Sequence, residues 1–287
     1  MATVTKPILL DETGKEIIKA INGVSNALKD KTIGDIADNY GAFHNSIYRG
    51  KDLTSYFASG EMSQAIASGS FRDIYIGDYI IKPITIAGTV YNVKWLVADF
   101  DYFLGSGDYS CDAHHIVLIP DVTVEVNVSM NDTNDTTGAY IASKMWTEKM
   151  PQYAEAIKAA FGEAHVVKHR ELLTTVMNAT SPSAAGAGWV GSSTDWTWVD
   201  VLVNIPNEPM IYGGTVFGSS AFDVGNVTKQ LALFRFRNFS IGRKWFWLRA
   251  VASASRFCVA GYGGAATSYG AASRDSGGGV RPYFLLR

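Results

Sequence analysis

The sequence predicts an α+β protein, because strand-like segments occupy both halves of the 287-residue chain and a helical stretch lies between them. Residues 73–103, DIYIGDYIIKPITIAGTVYNVKWLVADFDYF, combine β-branched and aromatic residues with breaks at Gly77, Pro83 and Gly88, which is typical of antiparallel strands. Residues 138–162 instead repeat their large apolar residues at roughly helical spacing. Because strand patterns return afterwards, we expect the last strand to join the sheet that holds the first.

The other segments divide into short helices and strands. Within the helical stretch, Pro151 predicts the start of a second helix and Gly162 its end. Shorter helices are predicted within residues 57–71 and at 169–179. Strands are predicted for HHIVLIPD (114–121), VTVEVNVSM (122–130), WTWVDVLVNIP (196–206), PMIYGGTVFG (209–218), QLALFRFR (230–237), KWFWLRAV (244–251) and VRPYFLLR (280–287).

Residues 1–69 are predicted to form a helical region that precedes a main domain of residues 70–287. Four apolar residues of this region follow one another at spacings of four, three and four, on one face of a helix: Ile17, Ile21, Val24 and Leu28. A stripe so narrow either packs on its own domain or associates with other copies as a short bundle. We expect the region to attach the protein to a larger assembly or to form homo-oligomers.

Composition and charge argue against several classes of function. Hydrophobic residues make up 47% of the chain and charged residues 18%, as in an ordinary globular protein. The formal net charge is -2 and the 25 Lys and Arg residues are scattered, so nucleic-acid binding is not expected. The N-terminus lacks the pattern of a signal peptide, and no run of about 18 apolar residues occurs. We expect a protein made in the cytoplasm without membrane insertion.

Two polar clusters contain residue types that can bind metal ions. The segment CDAHH brings together Cys111, Asp112, His114 and His115, but its spacing fits no standard zinc pattern. Four carboxylates gather in a glycine-containing stretch without the spacing of an EF-hand: Asp99, Asp101, Asp108 and Asp112. Glycine-rich turns carry Asp for their own backbone hydrogen bonds. The sequence therefore predicts no metal site.

Nucleophilic catalysis has equally weak support. The sequence contains no GxSxG, GxxxxGK[ST] or HExxH motif. Cys258 is a conceivable nucleophile, but no His follows His169 in the chain. Cys111 and Cys258 cannot form a disulfide framework, although a single bridge between them stays open. We expect a protein that is not an enzyme and needs no cofactor, with a metal- or cysteine-dependent enzyme as the alternative.

The C-terminal segment is unusual in composition. Residues 250–277 are almost all small or polar and lie between two bulky apolar borders, so the rest of the fold must hold them in shape. Lys, Glu, Gln, Met and Trp make up about one residue in seven of the chain, which predicts about four in this segment, and it contains none. These five amino acids are the ones that remain out of reach when the adenines of an AAC or AAT codon are replaced by any base.

The borders of this segment carry a family resemblance. FWLRAV (246–251) and GGGVRPYFLL (277–286), preceded by WVDVLVNIPNEPMIYG (198–213), GSSAFDVG (218–225) and QLALF (230–234), resemble the C-type-lectin-fold variable proteins of diversity-generating retroelements. Phage receptor-binding tropism determinants are the best-known members of that family. The resemblance covers about residues 70–287 and is strongest after Trp196.

The resemblance implies a C-type-lectin-like fold and a function in ligand binding. In that family an adenine-directed reverse transcriptase rewrites chosen codons near the C-terminus, and the fold displays the altered residues on one face. The protein would then belong to a phage or prophage virion, at the tail tip or fibre, and bind a host-surface protein or glycan receptor. It would associate with other virion components and form homo-oligomers, with a trimer as the best expectation. A purely structural tail or capsid component is the remaining alternative.

The resemblance also implies which residues bind the ligand. The expected set comprises Ala252, Ser255, Arg256, Cys258, Gly261, Tyr262, Gly264, Thr267, Ser268, Tyr269, Arg274, Asp275 and Gly277. The expected scaffold comprises Trp247, Arg249, Phe257, Val280, Arg281 and Pro282. Tyr rings beside Ser and Gly give the mixture of stiff contact area and adaptable hydrogen bonds found in antibody loops. We therefore expect Tyr262, Tyr269 and Arg256 to anchor the ligand on one shared surface.

Two departures from the wider lectin fold limit what the resemblance implies. Calcium-dependent lectins use Glu-Pro-Asn or Gln-Pro-Asp together with Trp-Asn-Asp, whereas here the nearest strings are NEP at 207–209 and WVD at 198–200. Calcium-dependent sugar binding is therefore not implied. The oxidases of the same broad fold need suitably placed cysteines, and Cys258 has no second cysteine near it in the sequence.

Overall fold

The structure is a computed structural model that describes residues 15–17, 19–20, 41–178, 192–218, 229–236, 244–274 and 277–287. Its helices are α1 (Thr54–Ala58), α2 (Glu61–Ala67), α3 (Met150–Phe161, preceded by a π-helical stretch at Met145–Lys149), α4 (Glu208–Tyr212) and α5 (Ala232–Phe236). Its strands are β1 (Tyr79–Ile86), β2 (Thr89–Phe100), β3 (Ile116–Pro120), β4 (Glu125–Val126), β5 (Val166–Val167), β6 (His169–Asn178), β7 (Ser192–Val201), β8 (Val203–Asn204), β9 (Trp245–Ser253), β10 (Arg256–Ala260), β11 (Ala266–Ala271), β12 (Gly278–Val280) and β13 (Tyr283–Leu286).

The first sheet has the strand order β1-β2-β3-β13-β5, and β8 also pairs with β13. Its pairings are antiparallel, and the α+β class predicted from sequence is confirmed. The last strand lies in the sheet that holds the first, as predicted, with Phe284 opposite Leu118. The β1–β2 hairpin turns at Ala87 and Gly88, which both have positive φ. Such a two-residue turn matches the twist of the strands, which explains the glycine there.

The second sheet, β11-β10-β9-β12-β4, contains most of the C-terminal segment. All nine residues of β9 are buried, so this strand forms the centre of the sheet in packing as well as in order. β12 runs parallel to β9 and places Gly278 against the indole of Trp245: a Cβ built on Gly278 would lie 1.9 Å from a ring carbon. Only glycine fits there, because the space of a side chain is already occupied by the ring.

β6 and β7 form a separate two-stranded antiparallel ribbon, with Leu172 opposite Trp198. The strand predicted at residues 196–206 is confirmed in its first part, whereas the helix predicted at 169–179 is wrong. Residues Thr174–Val176 are β-branched and suit the ribbon. The pairing with β7 supplies the hydrogen bonds that a helix would otherwise have made.

Two other predictions of secondary structure are wrong because they assign strands to segments that contain helices. Residues 209–218 and 230–237 were expected to be strands but contain the short helices α4 and α5. Asn207 caps α4, because its side-chain oxygen accepts a hydrogen bond of 2.9 Å from the Met210 amide. Asp99 accepts one of 2.9 Å from the Ala232 amide at the start of α5. The apolar residues of both segments fit a strand or a helix, and the hydrogen bonds that cap the helix starts favour the helix.

The helices predicted around α2 and α3 are confirmed, except that residues 138–142, expected to begin the helical stretch, form turns before the π-helical residues Met145–Lys149. The second helix begins at Met150, beside Pro151, and ends at Phe161 before Gly162, as the sequence indicated. The strand predicted at 122–130 is reduced to the two residues of β4, whereas the strand predicted at 114–121 appears as β3. The helix expected within 57–71 is α2.

The described part of the N-terminal region, from residue 41, packs with the main domain. Leu53, Met62 and Ile66 are fully buried in the same hydrophobic core as the strands of the first sheet. The hydrophobic core therefore contains residues from both sides of the domain boundary that was expected after residue 69. Of the proposed helical stripe, Ile17 is described and is 54% exposed, and Ile21, Val24 and Leu28 lie outside the described residues.

Within the described residues, no helix is both long and apolar enough to cross a membrane.

Candidate functional site

The second sheet rests on a buried frame. The side chain of Trp247 is fully buried, and its indole N–H donates a hydrogen bond of 2.6 Å to the Val128 carbonyl. The guanidinium of Arg281 is also buried and donates to the carbonyls of Pro120 and Asp121, at 2.8 and 3.1 Å. The expected scaffold residues Trp247, Arg249, Phe257, Val280, Arg281 and Pro282 are all buried. These buried contacts hold β9, β12 and the chain between β12 and β13 in fixed positions.

The residues expected to bind a ligand divide into two groups. Seven are exposed or partly exposed: Ser255, Arg256, Gly261, Tyr262, Thr267, Arg274 and Gly277. Four are buried and therefore add nothing to an exposed surface: Ala252, Cys258, Gly264 and Ser268. Asp275 and the side chain of Tyr269 lie outside the described residues. The division follows strand geometry, since neighbouring side chains of a strand point to opposite faces.

Four residues of the exposed group line one pocket of about 200 Å³: Gly261, Tyr262, Thr267 and Arg274. Trp245, Val259 and Gly270 complete the lining, and we call this the Trp245 pocket. Tyr262 is 52% exposed at its rim. Gly270 lies in the wall where no side chain fits, because a Cβ built there would lie 2.6 Å from Trp247 and 2.7 Å from Val259. The pocket is smaller than those that enclose drug-sized ligands, so it fits a single side chain or chemical group.

Trp245 lies in the strand predicted at 244–251, and sequence reasoning missed its place in this pocket. Trp245 is 3% exposed, and its ring packs edge-on against Trp247 with 4.8 Å between centroids. The guanidinium carbon of Arg274 lies 5.2 Å from the centroid of the Trp245 ring. A cation at this distance over an aromatic face is attracted to it. The run of glycines at 277–279, opposite a tryptophan that begins a strand, was the available signal.

The turn between β10 and β11 separates the Trp245 pocket from a wider cavity of about 750 Å³. That cavity is lined by α4, α5 and the turn residues Gly263–Ala266, with Tyr212 and Phe217 in its wall. The phenol of Tyr212 donates a hydrogen bond of 3.0 Å to the Gly264 carbonyl and so holds the turn in place. Burial and the charge of Glu208 both raise the pKa of Tyr212, which keeps this donor protonated. The exposed turn therefore has concave surfaces on both sides.

Cys258 is held as a neutral thiol under the sheet. It lies where the register of β10 shifts against both of its neighbours, and it is fully buried. Its hydrogen bond goes to the carboxylate of Glu208, which also accepts from the amides of Val216 and Gly218, each at 2.9 Å. Burial and the charge of Glu208 raise the pKa of the Cys258 thiol well above its ordinary value. A nucleophilic cysteine needs the opposite shift.

This environment predicts that Cys258 does not react in the native protein. Incubation with a water-soluble disulfide reagent at pH 8 should label neither Cys258 nor the buried Cys111 within minutes, because both lack access and thiolate character. After unfolding in guanidinium, both thiols should react. Peptide mass spectrometry identifies the labelled residue, and stoichiometric native labelling of Cys258 would contradict its assignment as a packing residue.

The segment considered as a metal site forms internal hydrogen bonds instead. The Nδ1 of His115 lies 2.7 Å from the Ala113 carbonyl, and its Nε2 accepts a hydrogen bond of 3.1 Å from the Phe103 amide. Burial lowers the pKa of His115 to about 4, which keeps the ring neutral. His114 instead pairs with Asp101 at 2.8 Å. Within the described ranges, no group of three His, Cys, Asp or Glu residues is arranged to hold a metal ion.

A buried polar cluster includes Arg249, one of the scaffold residues. The carboxylate of Glu171 is fully buried and accepts a hydrogen bond from the guanidinium of Arg249. It also accepts from Tyr283 at 2.5 Å and from Asn204 at 3.3 Å, and His169 lies 2.9 Å from it. Burial alone would raise the pKa of Glu171, but the charge of Arg249 and the hydrogen bonds of His169 and Tyr283 lower it. The cluster joins β6, β8, β9 and β13.

Comparisons with known proteins return no match to any family model, curated protein or solved structure.

Proposed function

We propose that this protein is a non-enzymatic ligand-binding protein of a phage or prophage, which displays a retroelement-diversified C-terminal surface to a host-cell receptor. The observation that carries the proposal is the Trp245 pocket. Four residues expected from the resemblance to contact the ligand meet in this pocket, on a sheet whose central strand is entirely buried. A binding surface whose residues change requires a rigid support, with small residues on it that can be replaced.

The proposal includes a C-type-lectin-like fold and display at the tail tip or fibre. The arrangement of two larger sheets, with the last strand β13 paired within the sheet that holds β1, supports such a fold. Presentation of several copies, with a trimer as the expected homo-oligomer, would let weak contacts at each site add through effective concentration. A receptor bound in this way can be a surface protein or a glycan. The chain needs no cofactor for such a role.

The enzyme alternative is less well supported by the geometry. A cysteine-dependent reaction would have to use Cys258 or Cys111, which are both buried with raised pKa values. The carboxylates considered as metal ligands have other partners: Asp99 binds backbone amides, Asp101 binds His114 and Asp108 binds Arg170. These contacts explain the polar residues without catalysis.

Adsorption to host cells tests the proposal. Tyr262→Ala should lower adsorption of the purified protein, or of virions that carry it, by at least about tenfold, because exposed Tyr residues act as anchors at interfaces. Its unfolding temperature should stay within about 1 °C of wild type, since the ring is half-exposed.

The matched control is Tyr109→Ala, which removes an exposed tyrosine (76%) from the β2–β3 connection, away from the second sheet. This control should adsorb like wild type. Unchanged adsorption of Tyr262→Ala would instead favour a purely structural tail or capsid component.

A further inference from the structure

The Trp245 pocket carries the positive charge of Arg274. Arg274 is exposed and lies over the Trp245 ring, and it forms no ion pair within the described part of the chain. The residues that line the pocket include no Asp or Glu. Arg forks bind carboxylates through two parallel hydrogen bonds, which makes them effective receptors for that group.

A buried donor group lies beside the pocket. The indole N–H of Trp245 is buried and has no hydrogen-bond partner among the described residues. A Cβ built on Gly277 would lie 3.4 Å from this nitrogen and 2.9 Å from the phenol oxygen of Tyr262, so both groups border the same small space. A buried donor without an acceptor is unfavourable, and an incoming acceptor can remove this cost.

The size and lining of the pocket indicate what kind of acceptor fits. A hexuronic acid would place several hydroxyls in a pocket of about 200 Å³. Among the residues that line the pocket, Thr267 and Tyr262 supply the side-chain hydroxyls available to pair with them. Hydroxyls that are buried without a hydrogen bond are unfavourable. A glutamate or aspartate side chain brings a carboxylate on a short apolar stem. The stem can contact the rings of Trp245 and Tyr262 while the carboxylate reaches Arg274.

We propose that the Trp245 pocket binds an acidic side chain of a protein receptor, with Arg274 as the charge partner. The inference rests on the proposed function and narrows it, because it selects a protein over a glycan as the receptor. It also explains why the site combines aromatic rings, one cation and glycines. The resulting contact would be weakened by salt, as is usual for a partly exposed ion pair.

Binding of model compounds tests the inference directly on the full-length protein. The probes are N-acetyl-glutamate N-methylamide and its glutamine counterpart, followed through the Trp245 indole N–H signal in NMR spectra. We expect saturable binding of the glutamate probe in the millimolar range, at least roughly fivefold tighter than that of the glutamine probe. Arg274→Gln should abolish this preference, whereas Arg274→Lys should keep part of it.

Lys244→Gln is the matched control, since it removes an exposed positive charge one residue before Trp245 without altering the pocket lining. It should leave the preference unchanged. Equal binding of the two probes, no binding at about 50 mM, or tighter binding of methyl glucuronide than of the glutamate probe would each overturn the inference. Loss of the preference in Lys244→Gln would do so too, because it would show a general effect of charge.

The two proposals fail in distinguishable ways. If Tyr262→Ala loses adsorption while Arg274→Gln adsorbs normally and discriminates between the probes no less than wild type, the acidic partner is wrong and the binding surface stands. If Tyr262→Ala adsorbs normally, the receptor-binding function itself is wrong, whatever the probes show.

Discussion

Trp247→Ala is expected to lower the free energy of unfolding by about 3–5 kcal/mol, as truncation of a buried aromatic side chain does. Trp247 is fully buried at the centre of the second sheet and packs against Trp245. Its removal leaves a cavity beneath both the Trp245 pocket and Gly270, whose backbone lies against the ring. It also leaves the Val128 carbonyl without its 2.6 Å hydrogen bond.

Urea denaturation and thermal unfolding measure this effect. Tyr262→Ala removes an exposed ring from the same sheet and serves as the control, with an expected change within about 0.5 kcal/mol. Trp247→Phe should fall between the two, since it keeps an aromatic ring but loses the N–H donor. A shift of the unfolding midpoint of under about one degree in Trp247→Ala would show that the frame does not depend on this residue.

The second large effect is expected from Glu171→Gln, which should cost about 3–5 kcal/mol of stability. The substitution removes the negative charge that faces Arg249 and leaves a buried guanidinium without its counter-ion. It also replaces an acceptor of the Tyr283 hydroxyl by a weaker one. The lost stability therefore reflects the uncompensated charge of Arg249 in the variant more than the net contribution of the Glu171–Arg249 pair in the native protein.

The pH dependence separates this charge effect from a general packing defect. The pKa of Glu171 is lower in the folded protein than its ordinary value of 4.5, so its contribution is fully present above that value. It is lost as the pH falls toward the folded pKa. The difference in stability between wild type and Glu171→Gln should therefore be constant near neutral pH and shrink as the pH falls below about 4.5.

Asp108→Asn is the matched control, because it removes one carboxylate from the exposed ion pairs of Arg170, the neighbour of Glu171 in β6. Its effect on stability should be small, since water replaces the lost contact. If the exposed pair and the buried pair gave equal losses, or if the loss in Glu171→Gln were independent of pH down to about pH 2, the role assigned to the buried cluster would be refuted.

The strand framework was predictable because its determinants are local. The β1–β2 hairpin is specified by alternating apolar residues around Ala87 and Gly88, and β13 by the apolar run that ends the chain. α3 was predictable for the same reason, since Pro151 and Gly162 mark its ends. Each of these signals lies within about a dozen residues of the element that it predicts.

Two of the errors occurred where distant residues decide the local structure. The segment 169–179 contains good helix formers, but β6 is stabilised by pairing with β7 and by the contact of Glu171 with Arg249, 78 residues away. α5 is capped by Asp99, which is 133 residues from Ala232. No window of sequence contains both partners, so patterns within a window could not reveal these elements.

The candidate site was predictable in part. Composition and the family resemblance indicated the segment, and Gly261, Tyr262, Thr267 and Arg274 do share a pocket. Which residues of the set are buried depends on the bulge at Cys258 and on the turn held by Tyr212, and neither is visible in the sequence. The role of Trp245 in the pocket follows from the parallel pairing of β9 with β12, which is another pairing between residues far apart in the sequence.

If a fixed, buried frame supports a surface whose codons are rewritten, the DNA around the gene should record the rewriting, and sequencing that DNA tests this. We predict a near-copy of the codons for residues 246–287 beside a reverse-transcriptase gene. Its differences should fall at adenines and change codons of exposed residues such as Tyr262, Thr267 and Arg274. The codons of Trp247, Val280 and Phe284 should match in both copies. Absence of such a copy, or differences spread equally over frame and surface codons, would contradict the claim.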